Sequence, residues 1–350
     1  MTAAGKSGEI DIIVAEFAIT TVRIMPNVTI FAMDDILATG VTGPIEVLNI
    51  ANIQAGLAAA PPEQRFSWQV ISVDGKPVRS SAGFLIPVDG DASRARQSDI
   101  ILIPGFNHVS ARDVTSFVAD LPDGYMSWLK ARYQEGKVLG AMCSGTFVLG
   151  EAGLLDGHKA TTSWWLTKAF RRRFPAAELH PRDVVIEDSN IITGAGASSW
   201  MQVALKLIQR YMDPPIANAC ARILLLDRDA SQAPYLKAEH LMASRDAAIE
   251  RAIDYMRDHV ADDISLAQLA DMAAMSERTF VRRFRDVAGM PPGQYLQKMR
   301  LDIAKHLLEE TDQPLEWIVG QVGYSDVSSF RRLFKKEVSV SPGVFRERFR

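Results

Sequence analysis

A chain of 350 residues with 39 Lys plus Arg, 42 Asp plus Glu and a formal net charge of −3 has the length of two or three domains, and its 47% apolar content is ample for packed cores. Its two cysteines, Cys143 and Cys220, are too far apart in sequence for a disulfide framework or a cysteine-based zinc site, and no His/Cys spacing suggests another metal. No apolar run reaches the roughly 18 residues that span a bilayer, and the first residues carry early acids without a signal-peptide pattern, so a soluble cytoplasmic protein with no membrane partner is expected.

Residues 1–26 contain two β-prone stretches, Ile10 to Val14 and Phe17 to Ile24, that suit an added strand, a hairpin or an arm to a partner subunit. From Asn27 strands and helices alternate. Val28 to Phe31 reads as a strand. Thr42-Gly43-Pro44 opens a helix from Ile45 to Ala58 with Pro44 in its first turn. Phe66 to Val73 is a strand. Ile100 to Ile103 is a short unbroken apolar run, as in a strand buried on both faces, and it ends in Pro104-Gly105-Phe106-Asn107. A helix from Gly124 to Gln134 and a strand from Lys137 to Met142 follow. Further helices run from Gly145 to Glu151 and from Ser163 to Arg173. Val184 to Ile186 pairs with Ile191 to Thr193, and a long helix covers Ser198 to Tyr211. This order predicts an α/β domain over 27–212, flavodoxin-like, with a mostly parallel sheet and helices on both faces. Ligands in such folds bind beyond the carboxyl ends of the strands. Asp213-Pro214-Pro215 marks a break, and 213–245 reads as a linker with a helical start, Ile216 to Leu226, and a polar stretch after it.

Lys137 to Gly145 reads KVLGAMCSG: a strand stops at a cysteine and a helix begins at once. That is the pattern of a nucleophile elbow, whose following N–H groups, here of Ser144 and Gly145, would favour a thiolate or bind an anion. A buried structural cysteine is the alternative. Trp164, Trp165 and Phe106 would either line a pocket there, where aromatic faces suit a quaternary amine, or fill core.

The last hundred residues, 246–350, carry an internal repeat. Leu266 matches Leu315, Leu269 matches Ile318 and Ser276 matches Ser325; after one extra residue in the second copy, Phe284 matches Phe334, Pro292 matches Pro342 and Tyr295 matches Phe345. Each copy reads as helix, turn, helix. Ser276 and Asp326 are placed to cap, Phe280 and Phe284, then Phe330 and Phe334, are placed for burial. This leaves Arg278, Thr279, Arg282 and Arg283 in one copy, and Ser328, Ser329, Arg331 and Arg332 in the other, on outer faces. Helix-turn-helix units present such residues to the major groove. Between the copies Leu296, Met299, Ile303 and Leu307 form the apolar stripe of a connecting helix, which would set two recognition helices about 34 Å apart, in successive grooves. A plain helical bundle with solvated charges is the rival reading. Against it, Ser328 to Arg350 holds seven bases (Arg331, Arg332, Lys335, Lys336, Arg346, Arg348, Arg350) and two acids (Glu337, Glu347) in a chain whose net charge is −3. Concentrated charge of this kind is what a phosphate footprint requires.

Residues 246–350 resemble the DNA-binding domain of AraC/XylS-family transcription regulators, most specifically through GYSDVSSFRRLFKKEVSVSPGVFR from Gly323 to Arg346. The resemblance implies an all-α domain of two helix-turn-helix units that meets DNA through Arg278, Val281 and Arg282 in the first and Ser328, Ser329, Arg331 and Arg332 in the second. Residues 27–212 resemble the PfpI/ThiJ, class I glutamine-amidotransferase-like superfamily through TGPIEVLNIAN, DIILIPGF and GAMCSGTFVLGEAGLLDGHKATTSWW. The combination is similar to the GlxA-type branch of AraC regulators. It implies a homodimeric regulator of promoter DNA with a small-molecule effector, an amino acid or quaternary amine among the options, and with RNA polymerase as a further partner; no cofactor is implied. By position, Cys143 corresponds to the elbow cysteine and Glu46 to its acid partner, so Glu46, Gly105, Phe106, Asn107, Cys143, Ser144, Gly145 and Trp164 form the expected ligand pocket. Two departures stand out. Ser163 replaces a histidine of the family pattern, removing the base a cysteine nucleophile needs, and Phe106 replaces a glycine near the presumed oxyanion site. A cysteine-dependent hydrolase or glyoxalase using Cys143 and Glu46 is thereby the second reading, and redox sensing by Cys143 a third.

Overall fold

The structure, a computed structural model, describes residues 26–350 apart from 60, 62–63, 109, 123, 228–229 and 243–245. The β-prone segments between Ile10 and Ile24 therefore lie outside the described residues. The first half contains β1 (Asn27–Phe31), α1 (Ala38–Leu57), β2 (Ser67–Ile71), β3 (Val78–Arg79), β4 (Leu85–Ile86), β5 (Ile100–Ile103), α2 (Ala111–Ala119), α3 (Tyr125–Gln134), β6 (Val138–Met142), α4 (Thr146–Glu151), β7 (Lys159–Ala160), α5 (Thr167–Arg173), β8 (Glu178–Leu179), β9 (Val185–Asp188), β10 (Ile191–Gly194), α6 (Trp200–Tyr211) and α7 (Pro214–Ile223). Among the described residues, one six-stranded sheet has the order β2-β1-β5-β6-β10-β9. Its pairings are parallel except at the edge, where β9 lies antiparallel to β10. Every residue of β5 is buried, as an unbroken apolar strand between two helical layers must be. On one face Val28, Ile30 and Leu102 pack with α1, α6 and α7; on the other Phe31, Ile101 and Ile103 pack with side chains of α2 to α5.

Three details differ from the sequence reading. α1 starts at Ala38, so Pro44 is internal; buried Val41, Val47 and Leu48 continue one apolar face across it, and burial outweighs the hydrogen bond that proline removes. The helix α2 and the hairpin of β3 and β4 were not foreseen. Finally, α7, placed in the linker by sequence, buries Ala217, Cys220 and Ala221 against α1 and α6, so the α/β core reaches past residue 212.

The second half is helical: α8 (Ala247–Asp258), α9 (Leu266–Met272), α10 (Glu277–Ala288), α11 (Pro292–Glu310), α12 (Leu315–Gln321), α13 (Val327–Val338) and α14 (Pro342–Phe349). Phe280 and Phe284 anchor one core, Phe330 and Phe334 another, and all four are fully buried. α11 serves both cores. Tyr295 and Met299 face the first, and Leu301, Ala304 and Leu308 the second. The single stripe Leu296-Met299-Ile303-Leu307 is thus only partly right: of these four, Met299 alone is fully inside. A helix shared by two units needs two apolar faces. No helix of the described residues is long and apolar enough to cross a membrane.

The repeat is visible in the backbone. Helix α9 ends in Ala274 at φ 54° and helix α12 in Gly323 at φ 75°; α10 ends in Gly289 at φ 72° and α13 in Ser339 at φ 71°. Ser276 caps α10 and Asp326 caps α13, each side chain accepting from N–H groups of the first turn. The extra residue of the second copy therefore sits in the turn, and Ser276 corresponds to Asp326 rather than Ser325. A Cβ on Gly323 would lie 2.7 Å from the Ala261 carbonyl oxygen. Gly323→Ala is expected to lose about 1–3 kcal/mol of stability, whereas Ala274→Gly, which relieves a left-handed alanine, should gain up to about 1 kcal/mol. Urea unfolding of the two variants checks the opposite signs.

Candidate functional sites

The recognition helices α10 and α13 are amphipathic cylinders pinned by buried phenylalanines, so their polar faces turn outward. Arg278, Arg282 and Arg283 are exposed on α10, with Thr279 half-buried; Ser328, Ser329, Arg331 and Arg332 are all exposed on α13. These faces are not equally free. Arg283 is ion-paired with Asp246, the N-cap of α8, and Thr279 bonds the capping Ser276 at 2.9 Å. On α13 Arg332 donates to Ser329 at 2.8 Å, which stiffens the arginine without neutralising it. Beside α13 a concavity of about 520 Å³ is lined by Arg331, Arg332, Lys335 and Arg346, together with the polar start of α14. Lys335 and Arg346 were counted in the basic tail but not foreseen as part of one cleft.

The elbow has the expected backbone. Cys143 follows β6 at φ 55°, left-handed for a residue with a Cβ, and a short 3-10 turn leads into α4. Gly145 is required by close approach: a Cβ there would lie 2.7 Å from the carbonyl oxygens of Ile103 and Pro104. The chemistry differs from expectation. Cys143 is 7% exposed, and burial pushes its thiol above the ordinary range despite its contacts with Ser163 and Ser144, so the expected thiolate is not favoured. Bond directions agree. Ser163 Oγ lies 2.7 Å from the Ala195 carbonyl oxygen, which can only accept, so the hydroxyl proton is committed there. Ser163 Oγ is also 2.9 Å from Cys143 Sγ. The sulfur must then be the donor, and the cysteine is a neutral thiol.

The predicted pocket residues only partly converge. Gly105, Ser144 and Gly145 surround Cys143. The hydroxyl of Ser144 donates to the Phe106 carbonyl at 2.9 Å, and the Phe106 N–H donates back to it at 2.9 Å. Phe106 itself is buried against Phe117 at 4.2 Å between ring centres, as core and not as an opening at the elbow. Asn107 is exposed. Glu46 is exposed on α1, and no bond among the described residues joins it to Cys143. Val47 and Leu48 of α1 pack into the core, and their neighbour Glu46 is exposed. Trp164 lies elsewhere too. It packs into the junction of the two domains, 6.4 Å from Tyr235 and 5.1 Å from His240.

That junction is the feature sequence reasoning missed. A strap, residues 230–242, runs from the α/β domain to α8. Its Gln232 is 5% exposed and enters the α/β domain. The side-chain oxygen accepts the Trp164 N–H at 2.8 Å, and the nitrogen lies 3.0 Å from the Thr162 and 3.2 Å from the Pro181 carbonyl oxygens. Further along, Lys305 of α11 donates to the Leu236 carbonyl and pairs with Asp302 at 2.7 Å. Arg182 of the α/β domain pairs with Glu337 of α13, which also meets Lys298 at 3.2 Å. A lone glutamine in a polar loop gives no sequence signal of such a role.

Residues 26–210 match the DJ-1/PfpI family and residues 269–348 a helix-turn-helix domain. The chain is similar over most of its length to two proteins of Pseudomonas aeruginosa. With the HTH-type transcriptional regulator GbdR it shares 24% identity over 89% of this chain and 81% of the relative. With the HTH-type transcriptional regulator CdhR it shares 26% over 87% and 86%. A solved protein of Vibrio parahaemolyticus superposes on 57% of this chain and 99% of its own with a TM-score of 0.50 at 20% identity, in keeping with the α/β fold.

With Cys220 replaced by alanine, Cys143 is expected to alkylate far more slowly in the folded chain than in urea, and its thiolate absorbance should emerge at a higher pH than in the unfolded chain. Because folding holds this thiol neutral, the stability tied to it is present below the ordinary thiol pKa and is lost as pH rises above it. Rapid alkylation of the folded chain at neutral pH would contradict this geometry.

Proposed function

The chain belongs to the DJ-1/PfpI family and is a DNA-binding transcription regulator of the AraC family; on that premise we propose that its α/β domain is a sensor that reports a small metabolite to the helix-turn-helix domain. The observation that carries the DNA-binding part is the pair of capped, equivalently built recognition helices, one beside a cleft of four basic side chains. Arg282 and Arg332 are the residues assigned to base edges, where a guanidinium can grip guanine bidentately. Arg278, Arg331, Ser328 and Ser329 flank them. Thr279 and Arg283, engaged with Ser276 and Asp246, serve the backbone of their own unit as much as DNA.

The α/β domain acts here without turnover. A neutral, buried Cys143, a serine at 163 in place of a base and an exposed Glu46 leave no activated nucleophile, so the hydrolase and glyoxalase readings lose their residues. Promoter DNA and a small effector are the partners. A homodimer, acting in the cytoplasm and within reach of RNA polymerase, is the working form that fits such a regulator.

Arg332→Ala is expected to cost about 1–3 kcal/mol of operator binding and to relax specificity at one base position. Lys335→Ala should weaken binding evenly across sequences and lower the salt slope by about 1. Fluorescence anisotropy on a DNA site selected from random duplexes, repeated over a salt series, measures both. Unchanged affinity and specificity in Arg332→Ala would show that α13 does not read DNA.

A further inference from the structure

The junction of the two domains encloses a cavity of about 210 Å³ that belongs to neither domain alone. Arg171 and Arg182 reach it from the α/β domain, Lys237 from the strap, and Lys298 and Lys305 from α11; the acids in its wall are Asp302 and Glu337. Five basic groups therefore face two acidic ones, an excess of three positive charges in a partly enclosed space. Lys305 is buried and Arg171, Arg182 and Lys298 are half-buried, so these like charges repel and lose part of their hydration, while Lys237 stays exposed. Burial pushes the Arg171 guanidinium below its ordinary range. Within the wall Asp302 pairs with Lys305, and Glu337 with Arg182 and Lys298. Glu337 also shows what such a wall accepts, because the fields of Lys298 and Arg182 overcome its burial and hold its carboxyl below the usual range.

We propose that this cavity is a binding site for a small oxyanion, a carboxylate or phosphate group, held chiefly by Arg171, Arg182 and Lys298. Guanidinium groups offer paired donors to such planar or tetrahedral oxygens. The site rests on the reading of the chain as a regulator only for its consequence, not for its chemistry. Glu337 stands on the recognition helix α13, so a ligand oxyanion shares its partners Arg182 and Lys298 and weakens the hold of the α/β domain on that helix. An adjoining cavity of about 420 Å³, also bordered by Lys237, Asp302 and Lys305 and walled by Trp164 and Tyr235, has room for the carbon skeleton of an organic acid.

The test is calorimetric titration of the full chain, without DNA, with succinate and separately with inorganic phosphate at fixed ionic strength. Saturable binding of at least one is expected, and the two arms separate a carboxylate site from a phosphate site. Arg182→Gln should weaken that binding about tenfold or more, the worth of a hydrogen bond to a charged group. Glu337→Gln, which removes the competing internal carboxylate, should tighten it by a similar factor. A variant that merely failed to fold could not bind more tightly, so the second substitution keeps the test decisive. No binding of either anion to the wild-type chain, or equal binding by all three proteins, as anions held on the DNA-facing surface would give, overturns the proposal. Because DNA is absent, that failure would leave the operator-binding reading standing.

Discussion

One buried amide fixes to the α/β domain the strap that joins the two halves of this protein. Gln232 arrives from a strap that belongs to neither domain and finds in the α/β domain one N–H to accept and several oxygens to serve, Thr162 and Pro181 among them. A buried donor or acceptor without a partner costs roughly 1–3 kcal/mol, and here the loss of one side chain would remove a partner from several groups of the α/β domain at once. The peg is set beside the elbow: Trp164, whose N–H it accepts, follows Ser163, whose hydroxyl accepts from Cys143. Beyond the peg the strap is tied to α11 through Lys305 and Asp302. Hydrogen bonds joined by short stretches of backbone thus link the carboxyl edge of the sheet to the helix that both helix-turn-helix units share. Continuity of this kind is a physical route for coupling; a measured dependence of one end on the other is what would make it allostery.

The elbow shows that a backbone suited to catalysis does not bring the chemistry with it. The left-handed turn at Cys143 and the near contact at Gly145 are both in place. What is missing is a group able to take the thiol proton. Ser163 occupies the position from which a histidine would act, and its own proton is already committed to the Ala195 carbonyl. The turn then becomes structural: it aligns Ser163, Thr162 and Trp164 in the order that the strap requires, with Thr162 donating to the Cys143 carbonyl at 2.9 Å.

The sequence was most legible where a single physical period repeats. The unbroken Ile100 to Ile103 strand, the phenylalanine pairs of α10 and α13 and their capping residues were all apparent, because burial on one or two faces and an unsatisfied first turn leave local marks. Legibility failed where an element answers to two neighbours at once. The stripe on α11 mixes the demands of two cores. α1 runs through Pro44 because its apolar face does. α7 looks like linker until α1 and α6 are seen to need its small side chains. The pocket at the elbow was overread for a related reason: likeness of sequence around Cys143 carries backbone shape, whereas the placement of Glu46 depends on which face of α1 packs into the core and that of Trp164 on a strap distant in sequence. Nothing local marks Gln232 or the Arg182–Glu337 pair, whose partners lie 68 and 155 residues away.

The two helix-turn-helix units, alike in backbone, are tied to different things. On α10 the outward Arg283 is held by Asp246, so the first recognition helix is braced within its own domain. On α13 it is Glu337, one turn from the basic cleft, that is held, and Arg182 of the α/β domain holds it. A shift in the α/β domain therefore reaches the second recognition helix through an ion pair, and the first through α11 and the apolar core against which Trp164 packs. The second helix also adjoins the basic concavity, where Arg331 and Arg332 are joined by Lys335 and Arg346. The unit beside the basic cleft is thus the one whose recognition helix is ion-paired to the α/β domain, an arrangement in which a change at the junction bears on the two helices unequally.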